Sequence, residues 1–186
     1  MKLTITVQPT PNPNALKFVL DAPVKTRDSA VYRNKAECGA NKLAEALLAL
    51  GHVEEVYFAT NFITVTQDGK ADWDALESGI KEVLQRLFEE HDPNFAPPSE
   101  KASLAPSGSN QELAKVEAIL ESTIRPALQR DGGDLQVISL EDNVLTISYQ
   151  GACGCCPHAA MGTLYAIQNI LRDQYNPDIV VEMGKF

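Results

Sequence analysis

The sequence has no long apolar run and no basic segment, and it contains only four cysteines. None of its 186 residues lies in an uninterrupted apolar run of about 18, the length that a membrane-spanning helix needs. The net charge is −9, and no stretch has the excess of Lys and Arg that is typical of nucleic-acid-binding surfaces. We therefore expect neither a membrane nor a nucleic acid as partner.

The N-terminus also lacks a targeting pattern. Its first residues do not combine a positive charge cluster with an apolar core, as a secretory signal does, and they are not rich in Arg and Ser like a transit peptide. We therefore expect a cytoplasmic protein, although a mature organellar protein without its presequence would look the same. Four cysteines in a reducing compartment indicate metal binding or catalysis more than disulfide bonds.

The composition divides the chain into two units. Residues 91–110 contain four prolines, four serines and few large apolar side chains, which predicts a flexible linker. We assign residues 1–90 to a first domain and residues 111–186 to a second. Both mix helical and strand patterns, so the expected fold class is α+β, with two small domains.

Periodicity places the elements of each domain. In the first, strands are predicted at 3–8, 15–20, 56–59 and 62–66, and helices at about 36–50 and 73–90, with Asp72 capping the second helix. Residues 21–33 give no clear pattern. In the second, the predicted order is α-β-β-α-β: a helix from 111, strands at 135–140 and 144–149, a helix to about 175 and a strand at 179–183. The last strand should lie beside the first two, parallel to one of them.

Three of the four cysteines lie within four residues, between the second strand and the helix of the second domain. Cys153 and Cys156 form a C-x-x-C pair, with Cys155 between them. Pro157 suits the first position of a helix. An N–H at that position has no acceptor within the helix, so proline, which has no N–H, loses no hydrogen bond there. Cys156 would then lie near the N-cap, where the helix dipole favours the thiolate, the form that binds metals and attacks as a nucleophile.

Three hypotheses explain this cluster. The cysteines could be buried as small apolar residues, but they rarely bunch in this way. They could form a thiol–disulfide redox pair, which expects a βαβ context, whereas a β-hairpin is predicted before them. They could bind zinc or an iron–sulfur cluster, which thiolates favour. Such sites usually need four ligands, and two chains meeting about a two-fold axis would supply them. The residues alone favour the metal hypothesis over the redox one.

Other polar residues are more simply explained by structure. Cys38 stands alone in the first domain and is predicted to be buried. The turn at 131–134 contains two glycines, which suggests that it serves backbone geometry. His158 is a possible metal ligand, but a polar residue in the first helical turn is the simpler interpretation.

Two motifs resemble those of one protein family. Arg125-Pro126-x-Leu128-x-x-Asp131-Gly132-Gly133-Asp134 precedes Gly151-x-Cys153-x-x-Cys156-Pro157, with a predicted hairpin between them. Together they resemble the NifU C-terminal-like, or Nfu-type, domain. Residues 10–18, TPNPNALKF, look like the domain that precedes it in two-domain Nfu proteins.

This resemblance implies an iron–sulfur cluster scaffold or carrier. Such proteins hold a [4Fe–4S] cluster between two subunits, and a [2Fe–2S] cluster is an alternative. Carried over, Cys153 and Cys156 would be the ligands. The implied partners are apo iron–sulfur client proteins, the upstream cluster-assembly machinery and a second copy of the chain. Cys155 departs from the family, where the usual residue is small and cannot coordinate, and we expect it to be a spectator. No acid–base or oxyanion site is required, so we do not expect an enzyme.

Overall fold

The computed structural model describes residues 3–96, 110–153 and 157–184; for residues 110 and 157–161 it describes the backbone only. The chain forms two compact units, residues 1–100 and 101–186, and each has its own hydrophobic core.

The first unit is an antiparallel sheet with two α-helices. Its elements are β1 (Ile5–Pro9), β2 (Ala15–Leu20), β3 (Ala30–Tyr32), α1 (Lys42–Leu48), β4 (Val53–Phe58), β5 (Phe62–Gln67) and α2 (Trp73–Leu87), with 3-10 turns at Lys35–Glu37 and Phe88–Glu90. The strand order is β1-β2-β5-β4-β3. The apolar faces of both helices contribute to the same core as the strands.

Most of the predicted elements of this unit are confirmed, and two differ. The three-residue strand β3 was not predicted, because so short a segment shows no alternation. The helix predicted from about residue 36 begins only at Lys42, since Gly39 has a positive φ of 53° that interrupts it. Asn41 then caps α1 by accepting a hydrogen bond from the Ala44 N–H at 3.1 Å. The predicted cap Asp72 is confirmed: it accepts from the N–H of Asp74.

After α2 the chain packs back on the first core. His91 stacks on the rings of Phe58 and Phe88, with centroids 5.9 and 5.5 Å apart. Its Nε2 lies 2.7 Å from the carbonyl oxygen of Val24, so this nitrogen donates. Phe95 packs edge-on against Phe58. Residues 91–95, which the sequence analysis places in the linker, thus contact the first unit.

The stability of the first unit should depend on pH through His91. Burial lowers the pKa of this imidazole. The unfolded chain therefore binds a proton more readily, so the contribution is fully present above about pH 6.5 and is lost as pH falls below it. Urea unfolding followed by the fluorescence of Trp73, the only tryptophan, should show a lower midpoint at pH 5.5 than at pH 7.5. In His91→Phe this difference should shrink; an unchanged difference would contradict the assignment.

The second unit has the predicted order of elements, except that two helices replace the single helix predicted before the hairpin. Its elements are α3 (Asn110–Thr123), α4 (Arg125–Arg130), β6 (Gly133–Glu141), β7 (Val144–Gly151), α5 (Pro157–Gln174) and β8 (Val180–Met183). β6 and β7 pair antiparallel, and β8 lies beside β7 in parallel, as predicted. The first helix divides at Ile124, because Pro126 has no N–H to continue the helical hydrogen bonds.

A tight turn fixes the hairpin between β6 and β7. Asp142 and Asn143 both have positive φ, 48° and 65°, as a two-residue type I′ turn requires. The register then runs from Glu141 opposite Val144 to Gly133 opposite Gly151, with one irregularity. The hairpin thereby brings the glycines of the first motif beside the start of the second. In the described part of the chain, no helix is long and apolar enough to cross a membrane.

Candidate functional site

Cys153 lies just beyond the end of β7. Gly151, the last residue of that strand, has a φ of 65°, a conformation that favours glycine and turns the chain out of the sheet. The next N–H, of Ala152, donates to the carbonyl oxygen of Gly132 at 3.2 Å. Cys153 is partly buried, and its sulfur forms no disulfide bond. The thiol is thus held by a defined backbone and remains partly accessible.

Gly133 forms the wall against which this thiol lies. A Cβ at position 133 would be 2.6 Å from the Sγ of Cys153, 2.8 Å from the carbonyl oxygen of Gln150 and 3.1 Å from the Cβ of Cys153. The first two distances are shorter than essentially any that a real Cβ atom shows, and the third is tighter than ordinary van der Waals contact. The position therefore requires glycine, and the thiol occupies the space that a side chain would take.

A buried ion pair supports the strand that carries Gly133. The next residue, Asp134, is 4% exposed. Its carboxylate accepts from Arg125 Nη1 at 3.0 Å, from Gln129 Nε2 at 3.3 Å and from the N–H of Leu135 at 2.7 Å. The first sequence motif therefore has a structural role, as expected. The ion pair of Arg125 with Asp134 connects α4 to β6 one residue after Gly133, the glycine that lies against Cys153.

A buried, neutral phenol lies near the thiol of Cys153. Tyr149 is 4% exposed, and burial raises the pKa of its phenol well above the ordinary value, with a smaller contribution from Cys153. The phenol therefore stays protonated at neutral pH, and it adds no negative charge near the thiol.

The remaining predicted site residues are only partly described. Pro157 is the first residue of α5, as predicted. Cys155 and Cys156 lie outside the described residues, and for His158 only the helical backbone is described. Within residues 3–96, 110–153 and 157–184, no three side chains of His, Cys, Asp or Glu form a metal-binding group. This range includes Cys153 but not its C-x-x-C partner, so the ligand pair stays a prediction.

Cys38 is a buried structural residue, as predicted. It is 2% exposed, and its Sγ donates to the carbonyl oxygen of Asn34 at 3.5 Å. Burial raises the pKa of this thiol to about 11, and the nearby carboxylates of Glu45 and Glu37 add to the effect. The thiol is thus protonated at neutral pH and unreactive.

Alkylation should therefore distinguish Cys38 from the C-terminal cysteines. In the native protein at pH 7.5, we expect iodoacetamide to modify Cys153 and to leave Cys38 unmodified, because only the thiolate reacts and Cys38 is also inaccessible. Peptide mass spectrometry would assign the modified residues, and the same reaction in denaturant should modify both. Modification of Cys38 at the rate of Cys153 in the native protein would contradict this account.

The contact between Gly133 and Cys153 was not predicted. The sequence analysis treated the glycine turn and the cysteine cluster as separate features. Counting back equally from the turn at residues 142 and 143 would pair Gly133 with Ala152, so the hairpin indicated the proximity of the two motifs to within one residue. The irregularity between Val137 and Ser139, which the sequence does not reveal, shifts the pair to Gly133 and Gly151.

The chain matches two known family models. One, described as "Scaffold protein Nfu/NifU N terminal", matches residues 5–91, and the other, described as "NifU-like domain", matches residues 116–182. The second match contains all of the site residues described above.

Individual relatives match over both units. The human protein "NFU1 iron-sulfur cluster scaffold homolog, mitochondrial" is 30% identical over 176 residues, which cover 94% of this chain and 69% of the human one. "NifU-like protein 5, mitochondrial" of Arabidopsis thaliana is 30% identical and covers 90% of this chain. The match spans 62% of that relative, less than two thirds of its length. The solution NMR structure of a NifU-like protein from Saccharomyces cerevisiae aligns with 47% of this chain and 80% of its own, with 28% identity and a TM-score of 0.44.

Proposed function

Because this chain belongs to the Nfu/NifU scaffold family, as the motifs predicted, we propose that it holds an iron–sulfur cluster and transfers it to apo-proteins. The observation that carries the proposal is the placement of Cys153. Its thiol forms no disulfide bond, is partly exposed and lies against Gly133, at the start of a C-x-x-C segment that leads into α5. Thiolates are the usual protein ligands of iron–sulfur clusters.

The number of sulfurs supports a site shared by two chains. A [4Fe–4S] or [2Fe–2S] cluster commonly takes four cysteines, and one C-x-x-C supplies two. Cys153 and Cys156 from each of two copies complete the set. Cys38 is buried in the other unit and protonated, so it does not contribute.

Such a shared site suits a carrier. Its ligands come from two chains, so separation of the chains exposes the cluster to an incoming protein. A client thiolate then replaces Cys153 or Cys156 at one iron, and repetition of this exchange moves the cluster. The partly exposed position of Cys153 gives the client access. The expected partners are apo iron–sulfur proteins and the machinery that supplies the cluster. This transfer is ligand exchange and needs no catalytic acid or base, which agrees with the description of the relatives as scaffolds.

The compartment remains a prediction. The sequence suggested the cytoplasm, whereas the human and Arabidopsis relatives are named as mitochondrial. The proposed chemistry requires only a compartment that keeps the thiols reduced.

Transfer is tested by mixing the cluster-loaded protein anaerobically with an apo-ferredoxin. Gain of the ferredoxin spectrum in the presence of an iron chelator, with equal loss of cluster from the donor, supports direct transfer. If the chelator takes the iron and the ferredoxin stays apo, the carrier role is wrong.

One observation favours a second candidate, a thiol–disulfide redox protein. β7, α5 and β8 form a parallel crossover, so the C-x-x-C segment lies between a strand and a helix of a βαβ unit. Reversible formation of a Cys153–Cys156 disulfide, with turnover by a dithiol reductant and no cluster binding, would select this function.

A further inference from the structure

The helix that follows the cysteines leaves one face uncovered. Along α5, the buried positions include Ile167 and Leu171, which belong to the core of the second unit. The exposed positions in the described part of the same helix recur at helical spacing, and up to residue 171 they are Gly162, Tyr165, Ala166 and Asn169. We call these four residues the α5 face.

The α5 face is uncharged, whereas the exposed face of a solvated helix normally carries charged side chains. Tyr165 is 58% exposed, more than any other large hydrophobic side chain that the structure describes. No Asp, Glu, Lys or Arg occurs between Pro157 and Leu171, and the first charge on the exposed side is Arg172. The charge-free part of the helix is thus the part that begins at the cysteine cluster.

The exposed faces of the other long helices, α2 and α3, carry charged side chains. On α3, the exposed residues include Glu112, Lys115, Glu117 and Glu121. On α2, they include Asp74, Glu82 and Arg86. These two faces have the charged character that keeps a helix surface solvated. The α5 face is also exposed but carries no charge, and this difference makes it the candidate contact surface among the described long helices.

We propose that a second copy of this chain docks on the α5 face when the two copies share a cluster. The inference rests on the proposed function and names the surface that holds the two copies together. Two C-x-x-C segments that bind one cluster must lie within a few ångströms of each other. Since α5 begins at Pro157, directly after Cys156, its first turns are then brought close to those of the partner helix.

The charge of the chain favours its own copy as the occupant. A net charge of −9 makes two copies repel each other wherever charged surfaces meet. A two-fold contact places the same patch on both sides, so a patch without charge avoids that repulsion. On the α5 face, Tyr165 supplies apolar area to bury, and Gly162 and Ala166 let the partner backbone approach closely. A Cβ added at Gly162 would meet no atom within 4 Å, so the space beside it is open.

The neighbouring edge strand is less suited to pairing. Val180 and Met183 of β8 are also exposed, at 38% and 46%. However, the N–H of Val181 already donates to Oε1 of Gln168 at 3.1 Å. A side chain of α5 thus occupies a donor that strand addition would need, which makes this edge a poor template for another strand.

The test introduces charge on the α5 face in the full-length protein. We expect Ala166→Glu and Tyr165→Glu to lower the yield of cluster-bound dimer at least about tenfold after anaerobic reconstitution, because a charge would be buried against its own symmetry mate. Ala114→Glu is the matched control, since Ala114 is an exposed residue of α3. It adds the same charge to the same unit and should leave the yield unchanged.

Two measurements keep the outcomes distinct. Far-UV circular dichroism and titration of the reduced thiols should be the same in all variants, which shows that the fold and the ligands are intact. A normal yield of cluster-bound dimer in Ala166→Glu and Tyr165→Glu would overturn the docking surface and leave the proposed function standing. Failure of the unmodified protein to bind a cluster would instead reject the proposed function itself, and the docking surface with it.

Discussion

Replacement of Cys153 or Cys156 by Ser is expected to abolish cluster binding, whereas Cys155→Ser should keep most of it. Each of the first two changes removes two of the four sulfurs in a two-chain site, because both copies carry it. A serine hydroxyl is a poor substitute for a thiolate towards iron. Iron and sulfide content after anaerobic reconstitution, with the visible absorption of the cluster, measures the effect.

Cys155→Ser is the matched control in this series, since it removes a thiol from the same loop. Adjacent residues rarely direct their side chains at one ion together, so its loss should cost little cluster. Equal cluster content in all three variants would contradict the ligand assignment. A loss confined to Cys155→Ser would identify Cys155 as a ligand.

Gly133→Ala should produce the second-largest effect, although it does not replace a ligand. Its new Cβ would lie 2.6 Å from Cys153 Sγ and 2.8 Å from Gln150 O, so the thiol or the strand must move. Overpacking of this kind costs up to about 3 kcal/mol, which corresponds to a roughly 150-fold smaller population with the thiol in its native place. We therefore expect a large loss of cluster and a lower midpoint of thermal unfolding.

Gly51→Ala is the matched control for this change. A Cβ at Gly51 would meet no atom within 4 Å, and this glycine does not have a positive φ. It should keep both the cluster yield and the unfolding midpoint. If Gly133→Ala binds cluster as well as Gly51→Ala does, the close packing of Gly133 on Cys153 is not required for the site.

The parts of the fold that were predicted have strong local signals. The alternation in residues 15–20 and 62–66, and the helical stripe that Asp72 caps, are properties of the sequence itself. The parallel placement of β8 followed from the general rule for a strand, a helix and a second strand. β3 was missed because three residues show no period, and α1 began late because a single glycine, Gly39, changed the backbone direction.

The site itself was predicted only in its chemistry. The spacing of Cys153 and Cys156 indicated a thiolate site with too few sulfurs in one chain, and the family resemblance added the cluster. The support around the site depends on contacts between distant residues. The approach of Gly133 to Cys153 and the ion pair of Arg125 with Asp134 arise from the hairpin register and from the turn between α3 and α4. Local patterns do not contain this information.

Anaerobic reconstitution with iron and sulfide, followed by sizing and metal analysis, tests the central claim most directly. We expect a brown dimer with about four irons and four sulfides per pair of chains. A colourless monomer that catalyses disulfide exchange would contradict the claim and select the redox function. A colourless dimer with one bound zinc would contradict it as well, and would make the C-x-x-C pair a structural zinc site.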